Sequence, residues 1–236
     1  MKEYFEKIFT DGQSAFEKIL RDRLRDESKT FVVTANPETL MTGQKDTAFD
    51  ALLRDANTQI VPDGIGIVKA ARMLGYNVKE RITGVDICQY LLKEADLQKK
   101  SVFLFGAKEE VVGTLAQKIE SQYSRLRIAG YENGYVADKD QVFKKISELE
   151  PDIVFVALGI PQQELLIYRH LDLFHKGIFV GVGGSFDVLS GMKKRAPQIF
   201  IKLNLEWLYR IVTEPQRIRR FYQSNIKFIL QIRRRR

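Results

Sequence analysis

PDIVFVALGIPQQELLIYRHLDLFHKGIFVGVGGSFDVLS, residues 151–190, holds the pattern that decides the fold. Two short apolar runs, 152–158 (DIVFVAL) and 177–182 (GIFVGV), flank a stretch of helical periodicity over 162–173, and glycine follows or closes each run. Runs this short and this uniformly apolar suit strands covered on both faces, and a helix is the connection that parallel neighbours need. The alternation extends toward the N-terminus. Strand candidates at 30–35 (TFVVTA), 58–61 (TQIV), 101–105 (SVFLF) and 126–130 (LRIAG) alternate with helix candidates at 38–55, 65–75, 86–96, 109–122 and 140–149. This order predicts an α/β fold, a Rossmann-like, mostly parallel sheet with helices on both faces. Residues 1–29 read as an amphipathic helical preface carrying Phe5, Ile8, Phe9, Phe16, Ile19 and Leu20, and a last helix is expected over 198–213.

The chain of 236 residues is 44% hydrophobic and 29% charged, the composition of a globular protein with one large core. Cys88 is the single cysteine, so no intrachain disulfide can form, and with two histidines it cannot build a thiolate–imidazole zinc site. No run of 18 apolar residues exists, and the opening MKEYFEKIFTDGQ interrupts its apolar positions with acids, so a cytoplasmic location is expected.

The net charge of +8 is segregated. Residues 210–236 carry nine bases, among them Arg210, Arg217, Arg219, Arg220 and Arg233 to Arg236, against one acid, Glu214. The remaining 29 bases and 29 acids cancel, so the first 209 residues are formally neutral. Ile218, Phe221, Tyr222, Ile226, Ile229 and Ile232 follow helical spacing in that tail, which is the pattern of a basic amphipathic surface helix. Contact with an anionic membrane surface leads among its readings, each base near such a leaflet being worth about 1 kcal/mol. Docking of the helix on its own domain is the alternative. RNA binding ranks lower, because no RNA-binding signature accompanies the aromatic residues. A boundary falls near RAP (195–197), giving an α/β catalytic domain over 1–197 and a helical appendage over 198–236.

Ligands of open α/β sheets sit outside the carboxyl ends of the strands. The residues just past each apolar run are Thr34 and Asn36, Pro62 and Asp63, Gly106, Gly159 and Gln163, then Gly183, Gly184 and Asp187. Asn36 precedes Pro37 and suits a helix N-cap, whereas the Thr34 hydroxyl at a strand end can donate to a substrate. Asp63 lies in a Pro-Asp-Gly turn; its carboxylate either serves that turn alone or sits at the sheet's mouth as a working group. GVGGSFD (181–187) offers small residues and backbone N–H groups as a phosphate cradle, though it matches neither a Walker nor a dinucleotide pattern. Asp138 and Asp140 form a DxD before a helix, where capping explains them better than a metal does. His170 and His175, five apart, do not share a helix face, so no metal pair follows.

The ordered set TANPE (34–38), VPDGIG (61–66), ERITG (80–84), LFGA (104–107), GY (134–135), PDIVFVALGIPQQE (151–164), VGVGGSFDVLSG (180–191), RAP (195–197) and LEWLYRIVTEPQRIRRF (205–221) resembles the WecG/TagA/CpsF family of bacterial glycosyltransferases. The resemblance runs from about residue 31 to 221. It implies an inverting, metal-independent enzyme with no cofactor, peripheral on the inner face of the plasma membrane. The implied reaction moves N-acetylmannosamine from UDP-ManNAc to the 4-hydroxyl of undecaprenyl-diphosphate-GlcNAc. Other members use other UDP-sugars, so ManNAcA or glucose as the donor sugar stays open. Carried onto this chain, the resemblance makes Asp63 the general base, with Thr34, Asn36 and Gln163 positioning sugars. It assigns substrate binding to Arg81, Tyr135, Gly159, Gly183, Gly184, Asp187 and Arg195, and diphosphate duty to the appendage residues Arg210, Arg217 and Arg220. Ala107 stands where many relatives carry glycine, and Glu109 and Glu110 follow it, so phosphates are expected nearer 183–187. No nucleic-acid partner is expected. A homo-oligomer stays open, since appendage docking and subunit pairing would bury the same apolar face. The reading from a different class is a non-catalytic nucleotide- or RNA-binding α/β protein.

Overall fold

The computed structural model describes residues 1–214, 216, 218 and 225–233. Six strands form one sheet: β1 (Thr30–Ala35), β2 (Thr58–Pro62), β3 (Ser101–Gly106), β4 (Arg127–Glu132), β5 (Ile153–Ala157) and β6 (Ile178–Gly181). Their order is β2-β1-β6-β5-β3-β4, and every neighbouring pair is parallel. The alternation of side chains explains why both faces must be covered. Phe31, Val33, Phe103, Phe105, Val154, Val156 and Phe179 enter one core, while Val32, Val61, Val102, Leu104, Phe155 and Val180 enter the other. The first core is closed by α1 (Lys2–Lys7), α3 (Pro37–Gly43), α4 (Thr47–Arg54), α5 (Ile65–Met73), α8 (Lys139–Leu149) and α9 (Gln162–His170). The second is closed by α2 (Gln13–Arg25), α6 (Gly84–Gln98), α7 (Glu109–Gln122) and α10 (Ser185–Ser190).

The preface forms two helices that straddle the β2 edge. Ile8 pairs as an isolated parallel bridge with Ile60, and the Phe9 N–H donates to Ile60 O at 2.8 Å. Tyr4, Phe5 and Ile8 then join the first core, and Phe16, Leu20 and Leu24 the second. Residues 1–29 thereby cover an edge that would otherwise present unpaired backbone groups.

Three helix expectations are corrected. The stretch 38–55 is two helices, because Asp46 accepts from Ala48 N at 2.9 Å and Phe49 N at 3.0 Å and so starts a new one. The stretch 198–213 likewise divides into α11 (Gln198–Lys202) and α12 (Glu206–Thr213), with Asn204 at φ +58 between them. In the tail, α13 (Lys227–Arg233) docks through Phe228 and Ile232, which join the first core, while Ile229 stays exposed. Phe228 stacks on Phe5 with ring centroids 6.3 Å apart. Docking on its own domain therefore describes 227–233; the tail positions 217 and 219–224 lie outside the described residues. Among the described residues no helix is long and apolar enough to cross a membrane.

The topology locates the mouth of the sheet. From β1 the chain leads outward to β2, whereas from adjacent β6 it enters α10, which packs on α6 and α7 toward the opposite edge. Connections that diverge from neighbouring strands leave a crevice outside their carboxyl ends.

Candidate active site

Thr34 pairs with Val61 and Ala35 with Pro62 on one side of β1, and Val33 pairs with Gly181 of β6 on the other. This register puts the 62–64 turn and the 181–184 turn on opposite flanks of β1, about 10 Å apart at two strand spacings. The Asp63 turn is held on both sides: its N–H donates to Ala35 O at 2.8 Å, and the Ile82 N–H donates to Pro62 O at 2.8 Å. Gly64, at φ +113, turns the chain out of the strand and into α5. Asp63 is half-buried at this rim.

Asn36 is a full N-cap of α3. Its Oδ1 accepts from Glu38 N at 2.8 Å and Thr39 N at 3.1 Å, and Thr39 Oγ1 accepts from Asn36 N at 3.1 Å. The capping function read from Pro37 is thus present, and the cap fixes Asn36 at the crevice. The buried Thr34 hydroxyl donates to Gly181 O at 3.0 Å. Where the sequence offered a proton for substrate, the structure commits that proton to tying β1 to β6.

Gln163 differs from its expectation in the same way. It is buried on the first turn of α9, and its Oε1 accepts from Gly159 N at 3.0 Å and Gly183 N at 3.0 Å. Its Nε2 donates to Glu164 Oε1 at 2.7 Å. The amide is spent on joining the turns after β5 and β6, where the sequence suggested a group turned to the sugar. Those turns need glycine: φ is +83 at Gly159 and +49 at Gly183. The N–H groups of the 182–185 turn are also committed, Val182 to Val156 O, Gly183 to Gln163 and Ser185 to Val182 O. The phosphate cradle expected from GVGGSFD is correspondingly weaker, because three of its N–H groups are already satisfied.

Arg81 and Arg195 reach the same end of the sheet with acidic partners. Arg81 pairs with Glu206 of α12 at 3.0 Å, both side chains largely buried, and also approaches Ile201 O at 3.5 Å. This couples the loop beside Pro62 to the C-terminal helices. Arg195 pairs with Asp86 at 2.7 Å, and Asp86 in turn accepts from the Thr83 hydroxyl at 2.6 Å at the start of α6. Asp187 lies in the first turn of α10 beside Gly184. Tyr135, 76% exposed, follows β4 in a loop that folds back over the ends of β3 and β5, where the Gly134 N–H donates to Ala107 O at 2.8 Å. The Arg210 side chain, Arg217 and Arg220 lie outside the described residues. Asp138 caps α8 by accepting from Gln141 N at 2.9 Å, and Asp140 pairs with Arg169 and His170, so the DxD serves local structure.

Sequence reasoning missed Glu164. It is 0% exposed, and burial pushes its carboxyl up to about 7 against the opposing hydrogen bond from Gln163, with Glu38 adding a smaller repulsion. The available signal was periodicity: Glu164 occupies the sheet-facing position one turn before Ile167.

A model of the family described as "Glycosyl transferase WecG/TagA/CpsF family" matches residues 9–236. The N-acetylglucosaminyldiphosphoundecaprenol N-acetyl-beta-D-mannosaminyltransferase of Bacillus spizizenii is 42% identical over 214 residues, covering 90% of this chain and 83% of that protein. The protein of the same description from Bacillus subtilis is 45% identical over 189 residues, 80% of this chain and 73% of its own. The Staphylococcus aureus counterpart is 40% identical over 191 residues, 80% and 74% respectively.

Proposed function

The chain belongs to the WecG/TagA/CpsF family of glycosyl transferases, and from that membership we propose that it moves N-acetylmannosamine from UDP-ManNAc to the 4-hydroxyl of GlcNAc-diphospho-undecaprenol. The reaction belongs to the synthesis of wall teichoic acid or a related surface glycopolymer. Its relatives' names supply the acceptor and the transferred sugar; the observation that carries the mechanism is Asp63, held by backbone hydrogen bonds at the rim of the crevice. In the proposed step the acceptor oxygen attacks the anomeric carbon from the face opposite UDP and forms the new glycosidic bond. The bond to UDP breaks with inversion, and the acceptor's proton passes to the Asp63 carboxylate. A carboxylate partly withdrawn from water, within reach of the attacking hydroxyl, suits that transfer. Asn36 and the paired Thr34 define the floor beneath the sugar.

Negative charge accumulates on the departing diphosphate, and arginines are the groups suited to receive it. The reading gives this duty to Arg210, Arg217 and Arg220 of the appendage, and requires no metal. Residues 198–236 then act as a flap over the α/β domain of 1–197. Membrane association of that flap is supported by the exposed apolar side chains of Ile199 on α11, Leu203 at its end, and Leu208 and Val212 on α12, together with the basic tail.

The test is turnover. Purified protein, UDP-ManNAc and a short-chain lipid-diphosphate GlcNAc analogue, with EDTA present, should yield a β-linked disaccharide lipid. UDP-ManNAcA and UDP-glucose in parallel decide the donor. No disaccharide from any of the three donors would overturn the proposal, and turnover that stops with EDTA would remove its metal independence.

A further inference from the structure

We infer that Glu164 is a positioning residue for the transfer: it fixes the orientation of the Gln163 amide and, through that amide, the two glycine turns that close the mouth at β5 and β6. The inference rests on the glycosyltransferase reading. A glutamine side chain can rotate and exchange its oxygen and nitrogen. Only one orientation works here, because Oε1 must accept from both Gly159 N–H and Gly183 N–H, each at 3.0 Å. The flipped amide would set an NH₂ group against two N–H donors. An acceptor on the far side of the amide prevents that, and Glu164 Oε1 supplies it at 2.7 Å from Gln163 Nε2.

The surroundings are shaped for this pair. Gly181 on β6 leaves the space that the two side chains fill: a Cβ there would stand 2.7 Å from Gln163 Nε2 and 3.1 Å from Glu164 Oε1. Glu164 Oε2, fully buried, has no hydrogen-bond partner among the described residues. An acid with one unsatisfied oxygen is a poor core residue; leucine would pack the α9–sheet contact without that cost. A residue that breaks the local packing rule in this position, beneath the turns of the crevice, points to function. Both protonation states of the carboxyl keep an acceptor lone pair on Oε1, so the orienting contact does not depend on pH. Asp63 follows β2, on the opposite flank of β1 from these turns. A displaced Gly183 turn would shift the donor relative to the carboxylate, and misplacement of about 1 Å costs roughly 100-fold in rate.

Two variants and two readouts test this. Glu164→Leu keeps the volume and removes the acceptor; Glu164→Gln keeps an acceptor oxygen. Amide hydrogen exchange at Gly159 and Gly183 in the substrate-free protein reads the turns, and kcat and KM for UDP-ManNAc read the reaction. The Leu variant should retain its far-ultraviolet spectrum, lose protection at both glycines and lose roughly 100-fold in kcat with a raised KM. The Gln variant should recover both to near wild type. Wild-type protection and turnover in the Leu variant would overturn the inference, as would a Gln variant as impaired as the Leu variant. If Glu164→Leu does not fold, Glu164→Asp, which withdraws the acceptor by one methylene, must show both losses in smaller measure, and its wild-type behaviour overturns the inference. Lost glycine protection in a protein whose wild type turns over no donor would sink the transferase reading while leaving the orienting role intact.

Discussion

Replacing Glu164 by glutamine should change how the stability of this protein depends on pH. In the folded chain the carboxyl is fully buried and pushed from its ordinary 4.5 up to about 7, chiefly because burial disfavours the charged form. The unfolded chain releases that proton near 4.5, so between 4.5 and 7 the folded state holds a proton that the unfolded state has lost. Stability conferred by this group is therefore fully present below its unfolded value and drains away as pH rises to about 7. At about 1.36 kcal/mol for each tenfold difference in proton affinity, the full window is worth about 3 kcal/mol. Glutamine does not titrate, so the variant gains on the wild type by about that amount from pH 4.5 to 7.5. Urea unfolding of both proteins at several pH values measures it. With a denaturant slope near 3 kcal/mol/M, the difference in midpoint should widen by roughly 1 M across the range. A difference that stays constant would mean that the carboxyl ionises normally and that water reaches Glu164, refuting the account of its burial.

Two further outcomes follow from packing. Phe228→Ala should cost about 3–5 kcal/mol and free α13, read as new proteolytic cleavage between α12 and α13, because the ring is fully buried against Phe5 and α5. Glu206→Ala strands the largely buried Arg81 guanidinium, with side chains only 15% and 7% exposed in the pair, and breaking such a pair typically costs about 3–5 kcal/mol. Exchange protection should fall across α11 and α12 while β1 to β6 stay protected; unchanged protection in α12 would show that the pair does not hold the appendage.

The inner strands were legible because they are short apolar runs buried on both faces: 101–105 and 177–182 were bounded within a residue or two of β3 and β6. β4 was the least sharply drawn, an edge strand with half-exposed residues whose pattern is correspondingly weak. Helix breaks at Asp46 and Asn204 escaped because a cap or a single left-handed residue interrupts the chain without disturbing apolar periodicity. At the crevice, topology rule and sequence agreed on which loops converge, so Asn36, Asp63, Gly159 and Gly183 lie at one end of the sheet. What the sequence withheld was the direction of each hydrogen bond. Thr34 and Gln163 looked like groups facing a ligand, yet one donates to Gly181 O and the other ties two turns together. Glu164 was overlooked for a related reason: beside QQ in a polar helix start it reads as surface despite its helical spacing from Ile167, and the packing of α9 on β1, β5 and β6 buries it.

In the proposed mechanism the Asp63 carboxylate takes the proton of the attacking hydroxyl. Single-turnover formation of the disaccharide lipid by Asp63→Asn, under saturating UDP-ManNAc and acceptor analogue, tests it most directly. The variant should lose at least ~100-fold in rate with UDP binding retained; a rate close to that of the unaltered protein would remove Asp63 as the base.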